Sequence, residues 1–356
     1  GPMKVAIAAG GTGGHVFPGL AVAERLLEMG HDVVWLGTEQ GFEARILKGR
    51  SIPARWLTIA GVRGKGALTL LQAPLRLLRA VAQCWQLLRE EQPDVLLGMG
   101  GFVAGPTGLA SWLRRVPLVI HEQNAAPGMT NRVLSRLATV SLQAFPGALA
   151  QAEVVGNPVR SVFAALPAPE QRQVPDSERP RLLVVGGSQG ARALNERVPA
   201  ALALIDPAQR PVVTHQGGRT LAVAEAAYAQ AGVEATIREF IDDIAAAYAA
   251  ADIVVCRSGA LTVAELAAAG CPSILVPFPA AVDDHQTANA AYLADADAAV
   301  LMPESGLTAE SLADALLPLL SDRARRLEMA TNARRMAWPD ACQRIVDVCL
   351  DAGGAA

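Results

Sequence analysis

An apolar run from Lys4 to Ala9 ends in GGTGGH, residues 10–15, and passes directly into an amphipathic helical pattern. A short strand, a glycine turn and a helix in that order begin a parallel α/β sheet. The helix is expected to run to about Met29, with Gly30 as its C-cap, and Asp32 to Leu36 reads as the next strand. Further strands are expected near residues 94–98 and 117–121. A Pro- and charge-rich stretch, residues 167–180, reads as an exposed linker. The opening pattern then restarts. Arg181 to Val185 is a strand, GGSQGA (residues 186–191) a second glycine loop, and a helix follows from Arg192. Strands fit at 211–215, 252–256 and 273–276, between Ala-rich helices, and the chain from about residue 308 reads as helical, with Pro339 at the start of its last segment. The chain of 356 residues, 51% hydrophobic and 18% charged, suffices for two globular cores. The expected fold class is α/β, with two doubly wound domains.

Composition narrows the function classes. Gly1-Pro2 ahead of Met3 reads as a cleavage scar, and strand-like residues follow Met3 without room for a signal peptide, so the expected location is cytoplasmic. The five cysteines form no CxxC pair and no metal-ligand spacing, which points to reduced, mostly buried thiols. The uncharged stretch Val95 to Leu113 is long enough to span a bilayer. Its glycines and Pro106 instead argue for a strand, a loop and a helix. Residues 1–160 hold 16 Lys and Arg against 10 Asp and Glu, while the rest hold 15 against 24. A basic first half and an acidic second half imply two surfaces with different partners. No nucleic-acid motif appears, and nucleic acid is not an expected partner.

The chemistry should gather at the glycine loops. GGTGGH lets backbone approach a ligand and aims free helix N–H groups at it, although a tight βα turn would use the same residues. The GxGxxG dinucleotide pattern lacks its third glycine, because Val16 stands there, which disfavours a nicotinamide oxidoreductase. His15 at the loop mouth is either structural or a general base, since a pKa of ~6.5 leaves most of it neutral at pH 7. GMGGFVAGP (98–106) reads as a loop packed by a ligand or a neighbouring backbone. HEQN (121–124) clusters polar groups at a strand end. RSGALTVAELAAAG (257–270) reads as a strand end and helix start, with Glu265 either solvated or bonded to vicinal hydroxyls. DDHQTANA (283–290) precedes a helix, so its aspartates also fit capping. Asp295-Ala296-Asp297 has the DxD form of metal-dependent transferases. It lies away from the glycine loops and reads as a turn, so no metal is expected.

Taken together, GGTGGHVFPG, GMGGFVAGP, HEQN, VVGNPVR, GGSQGA, EFIDD, RSGALTVAE and DDHQTANA resemble the MurG family of peptidoglycan N-acetylglucosaminyltransferases, from Lys4 to about Leu350. The resemblance implies a GT-B fold, with two Rossmann-like domains whose parallel sheets face across a cleft. It implies inverting transfer from UDP-N-acetylglucosamine (UDP-GlcNAc) to the muramoyl 4-hydroxyl of lipid I, giving lipid II, without a cofactor or metal and with domain closure as a gating step. The implied domains are 3–163, binding the acceptor and facing the membrane; 164–340, binding UDP-GlcNAc; and a helix at 341–356 that returns to the first domain. It places Thr12, Gly13 and Gly14 by the sugar and diphosphate, Asn124 on the sugar, and Arg160 and Ser188 on the diphosphate. Ile241 would hold uracil through its backbone. Ala260, Leu261, Thr262, Val263, Ala264 and Glu265 would line the diphosphate and ribose, with Glu265 on the ribose hydroxyls. Gln286 would bind the sugar hydroxyls and His15 would be the base. Phe102 and His285 depart from relatives carrying Tyr and Gln there. A UDP-sugar 2-epimerase of the same fold is the alternative. The implied place is the cytoplasmic face of the inner membrane, held peripherally, with cell-wall synthesis proteins as further partners. Residues 66–89 alternate leucine clusters with Arg76, Arg79 and Arg89; with Arg55, Arg63, Lys65, Trp56 and Trp85 nearby, they read either as an anionic-membrane contact or as a helix on its own core.

Overall fold

The structure is a computed structural model. It describes residues 1–58, 67–279 and 285–354, so Arg63, Lys65, Asp283 and Asp284 lie outside the described residues. The chain divides into two compact units, Gly1–Val159 with Trp338–Ala356, and Arg160–Ala337.

The first unit holds one seven-stranded parallel sheet. Its strands are β1 (Lys4–Ala9), β2 (Asp32–Thr38), β3 (Ala54–Leu57), β4 (Val95–Gly100), β5 (Leu118–Glu122), β6 (Val140–Gln143) and β7 (Glu153–Val154), in the order 3-2-1-4-5-6-7. Because successive side chains alternate faces, β1 feeds two cores. Val5, Ile7 and Ala9 join one, and Ala6 and Ala8 join the other. The helix Gly13–Glu28 covers the first face through Val16, Leu20, Val22, Ala23 and Leu26. The final helix, Ala341–Gly354, covers it too. Its Ile345, Val346 and Cys349 are fully buried in that core. Each such aliphatic side chain contributes about 1.5–3 kcal/mol.

The second unit repeats the plan with β8 (Arg181–Val185), β9 (Val212–Gln216), β10 (Thr236–Arg238), β11 (Ile253–Cys256), β12 (Ser273–Leu275) and β13 (Ala299–Leu301), all parallel, in the order 10-9-8-11-12-13. Residues 160–163 belong here rather than to the first unit. The reason is Phe163, which is fully buried and packs its ring 5.9 Å from that of Tyr248.

The stretch 167–180 is more than an exposed linker. It contains a short helix, Pro169–Arg172, and Gln173 is buried. Gln173 Nε2 donates to Asp252 O, and Arg326 Nε donates to Gln173 Oε1. The fully buried Asp252 carboxylate accepts from Val174 N, Arg181 N and Arg181 Nε. These donors offset the cost of burying that carboxylate.

The segment at 66–89 forms the helix Ala67–Glu91. Ala80, Cys84, Leu87 and Leu88 bury into the first unit's core, while Leu68, Leu70, Leu71, Leu75 and Leu78 are each more than half exposed. The C-terminal part of this helix thus packs on its own core, while its N-terminal leucines are left uncovered. Among the described residues no helix is long and apolar enough to cross a membrane.

Candidate active site

In the first unit, the two central strands β1 and β4 end side by side at the point where the strand order reverses, which is where such sheets bind ligands. GGTGGH follows β1, and Gly100-Gly101 close β4. Gly101 has φ +88°, and a Cβ there would lie 2.1 Å from Gly10 O. Gly100 has φ +107°, and its Cβ would lie 2.5 Å from His15 Nδ1. The GMGG loop therefore admits a neighbouring backbone and the His15 ring.

Glu43 was not foreseen. It is fully buried, and its carboxylate accepts from Gly11 N (3.1 Å), Thr38 N (2.9 Å) and Thr38 Oγ1 (2.9 Å). A Cβ at Gly10, Gly37 or Gly41 would lie within 2.8 Å of it. Three glycines and three donors thus seat one carboxylate beneath the first loop. The one trace of it in the sequence is the pair of glycines, Gly37 and Gly41, that precede it in GTEQGFEAR.

Helix Gly13–Glu28 starts from Thr12, whose side chain makes no capping bond, so the N–H groups of its first turn have no side-chain cap. Thr12, Gly13, Gly14 and His15 sit in that turn. His15 is half-buried, with Nδ1 3.1 Å from Gln123 Oε1. HEQN turns mostly inward. His121 Nε2 is 2.9 Å from Gly156 O, and burial pushes this imidazole down to about 4, so it is neutral at pH 7. Glu122 is buried and accepts from Asn124 N, Gly128 N and Asn131 Nδ2, which shapes the following loop. Asn124 is half-buried at the start of that loop. Phe102 is 50% exposed beside the glycines.

The second unit builds its site at the same point, where β8 and β11 end as neighbours. The GGSQGA loop packs on residues 217–220. A Cβ at Gly218 would lie 2.3 Å from Gly187 O, and Arg219 N donates to Ser188 O. This leaves the Ser188 side chain exposed. The helices Arg192–Ala203 and Ala260–Ala269 begin at Ala191 and Gly259, again without a side-chain cap. Such ends are anion sites. Within 260–265, Leu261, Thr262 and Ala264 are half-buried and Ala260 is buried. Val263 packs its side chain into the core and its N–H bonds to Gly259 O.

Glu265 is half-buried, and among the described residues nothing donates to its carboxylate. Burial pushes it up to about 7, against the pull of the Arg160 guanidinium. Arg160 itself is exposed and lies over the Phe163 ring. Gln286 is held to the end of β11: its Oε1 accepts from Ser258 N and Phe278 N, and its backbone O accepts from Ser258 Oγ. Ile241 is half-buried in the loop after β10. His285 opens the helix His285–Ala294. Asp297 stands apart in a turn, with φ +57° and both carboxylate oxygens on Arg325 at 2.7 and 2.8 Å. The structure thus sets Thr12 to His15 at the first sheet's switch point and Ser188, residues 260–265 and Gln286 at the second's, while Asn124, Arg160 and Ile241 lie on other connections.

The chain matches the glycosyltransferase family 28 N-terminal domain over residues 5–143 and the family 28 C-terminal domain over residues 181–345. It is 53% identical to a protein of Marinobacter nauticus, with 97% of this chain and 96% of that one covered, and 54% identical to one of Alkalilimnicola ehrlichii, covering 98% and 99%. Both are named UDP-N-acetylglucosamine–N-acetylmuramyl-(pentapeptide) pyrophosphoryl-undecaprenol N-acetylglucosamine transferase. The crystal structure of Acinetobacter baumannii MurG superposes with a TM-score of 0.87 at 42% identity, covering 98% of this chain and all of that one. A UDP-N-acetylglucosamine 2-epimerase of Listeria monocytogenes reaches 0.69 at 17% identity, which is likeness of fold alone. Two Rossmann-like units of GT-B architecture, uncapped helices at both switch points and full-length identity above one half agree: the chain belongs to glycosyltransferase family 28, among the MurG N-acetylglucosaminyltransferases.

Proposed function

We propose that this enzyme moves N-acetylglucosamine from UDP-GlcNAc to the 4-hydroxyl of the muramoyl residue of lipid I, with inversion, forming lipid II. The observation that carries the reading is identity above 50%, over nearly the whole chain, to transferases of that name. The second unit takes the donor. Glu265, desolvated and short of donors, suits the two ribose hydroxyls. Ile241 meets uracil, and Gln286, its carbonyl oxygen already engaged, turns its amide N–H to the sugar.

The leaving UDP gathers negative charge. Ser188, the Arg160 guanidinium and the uncapped helix ends at Ala191 and Gly259 meet that charge. Thr12, Gly13, Gly14 and Asn124 of the first unit border the sugar and diphosphate. His15 removes the proton from the acceptor hydroxyl as it attacks the opposite face of the anomeric carbon. The exposed leucines at 68–78, with Arg76 and Arg79 among them, rest on an anionic membrane surface at the cytoplasmic face of the inner membrane. Each basic residue adds about 1 kcal/mol of attraction there.

The decisive assay mixes the protein with radiolabelled UDP-GlcNAc and a lipid I analogue. Formation of the labelled disaccharide is expected, and its absence refutes the proposal. His15→Ala is expected to keep UDP binding and lose turnover by 10²-fold or more; near-normal turnover removes His15 as the base. Flotation with phosphatidylglycerol vesicles, and its loss on replacing Leu71 and Leu75 by Ser, tests the membrane contact.

A further inference from the structure

The hydrogen bonds behind His15 run inward through Gln123 to His121, and the chemistry of their far ends fixes every proton between. Gln123 is 1% exposed. One end of its side-chain amide lies 2.7 Å from Met99 O, 3.2 Å from His121 O and 3.1 Å from His121 Nδ1. Two of these partners are backbone carbonyls, which only accept. The end facing them must be the NH2 group, because the flipped amide would set its oxygen against both. The other end, 3.1 Å from His15 Nδ1, is therefore the amide oxygen.

His121 agrees from the opposite side. Its Nε2 faces Gly156 O at 2.9 Å, another carbonyl, so Nε2 carries the hydrogen. His121 is buried and neutral, so its Nδ1 has a lone pair and accepts from Gln123. An amide oxygen facing His15 can only accept, so His15 Nδ1 must donate.

We infer that Gln123 is a positioning residue that holds His15 in the Nδ1–H tautomer and so leaves the Nε2 lone pair as the proton acceptor. This rests on the reading of His15 as the base. Gly100 completes the seat, since a Cβ there would press on His15 Nδ1 and Cε1 at 2.5 and 2.8 Å. The tautomer of a histidine is set by the bond its other nitrogen makes. A neutral imidazole without such a partner distributes its proton between both nitrogens, and a proton on Nε2 blocks the base.

The test reads the tautomer directly. Long-range 1H–15N spectra of the 15N-histidine-labelled enzyme at pH 8.5 distinguish a protonated from an unprotonated ring nitrogen, and His15 is assigned by its loss in His15→Asn. The wild-type enzyme is expected to show His15 protonated on Nδ1. A proton on Nε2 overturns the inference without any variant. Gln123→Met keeps the volume and removes both ends of the amide. It is expected to shift His15 toward the Nε2–H form and lower kcat by roughly tenfold to a hundredfold, with KM for UDP-GlcNAc unchanged. An unchanged tautomer in Gln123→Met overturns the positioning role. A tautomer that shifts while kcat stays constant keeps Gln123's hold on the ring and refutes His15 as the base.

Discussion

Replacing Glu265 by Gln should stabilise the protein while disabling its donor site. Glu265 carries the cost of a desolvated carboxylate, with its titration moved from the ordinary 4.5 up to about 7. The folded state therefore holds a proton between those values that the unfolded chain has released, and wild-type stability falls as pH rises through that window. Integrated, the penalty is under about 1 kcal/mol at pH 5 and about 3 kcal/mol at pH 8. Gln is of the same shape and never ionises. Glu265→Gln should thus raise stability by about 3 kcal/mol at pH 8 and by little at pH 5. In a unit of this size that is roughly 6–12 °C in melting temperature. On the proposed binding mode the variant also loses two charge-assisted bonds to vicinal hydroxyls, together about 2–4 kcal/mol, or roughly 30- to 1000-fold in UDP affinity. Urea unfolding of the full chain at pH 5 and 8, beside calorimetric titration with UDP, measures both effects. Equal stability changes at the two pH values would show that Glu265 is not desolvated, and unaltered UDP affinity would remove it from the ribose.

The remaining perturbations concern the scaffold. Glu43→Ala takes the acceptor from the N–H groups of Gly11 and Thr38 and from the Thr38 hydroxyl and empties a fully buried position, and should cost about 3 kcal/mol in thermal unfolding. Gly101→Ala sets a Cβ 2.1 Å from Gly10 O, at φ +88°. It should destabilise by more than about 3 kcal/mol, whereas Gly49→Ala, at φ +82° with nothing within 4 Å, should cost only about 1–2 kcal/mol. Similar losses in the two glycine variants would contradict the close loop packing. His121 and His215 are both pushed down to about 4 by burial, so the unfolded chain takes up protons first as pH falls from 6.5. Each should remove about 2 kcal/mol of stability by pH 5; ring 15N shifts that stay neutral to pH 5 would support this, and protonation above pH 6 would refute it.

Much of the fold was legible because parallel strands buried on both faces are written as unbroken apolar runs. β1 and β8 begin and end where the sequence pattern does. β3, β6, β7 and β10 were missed because they are short strands at or next to a sheet edge, mostly exposed or half-buried, as in Glu153-Val154, and carry little apolar signal. The boundary at Arg160 was misjudged for another reason. Nothing local in VVGNPVRSVF says that Phe163 will pack on Tyr248, far along the chain. The linker hid its structure likewise, since Gln173 acquires its role only from Asp252 and Arg326.

The same distinction sorts the site. Glycine loops announce themselves, since few other residues can stand where Gly100 and Gly101 stand. What they make room for is silent in sequence. Gly10, Gly37 and Gly41 leave space for one buried carboxylate, and Gly100 leaves space for one imidazole. A polar motif such as HEQN is equally ambiguous. His121, Glu122 and Gln123 are polar residues at a sheet edge, yet their hydrogen bonds run to Gly156, to the 124–131 loop and to Met99. They shape the loop and hold His15 in place. Glu265 differs: among the described residues nothing donates to its carboxylate, and the cost of desolvating it falls on the empty enzyme. A buried carboxylate supplied with donors, as Glu43 is, belongs to the scaffold; one left without them, as Glu265 is, is the candidate for binding a ligand.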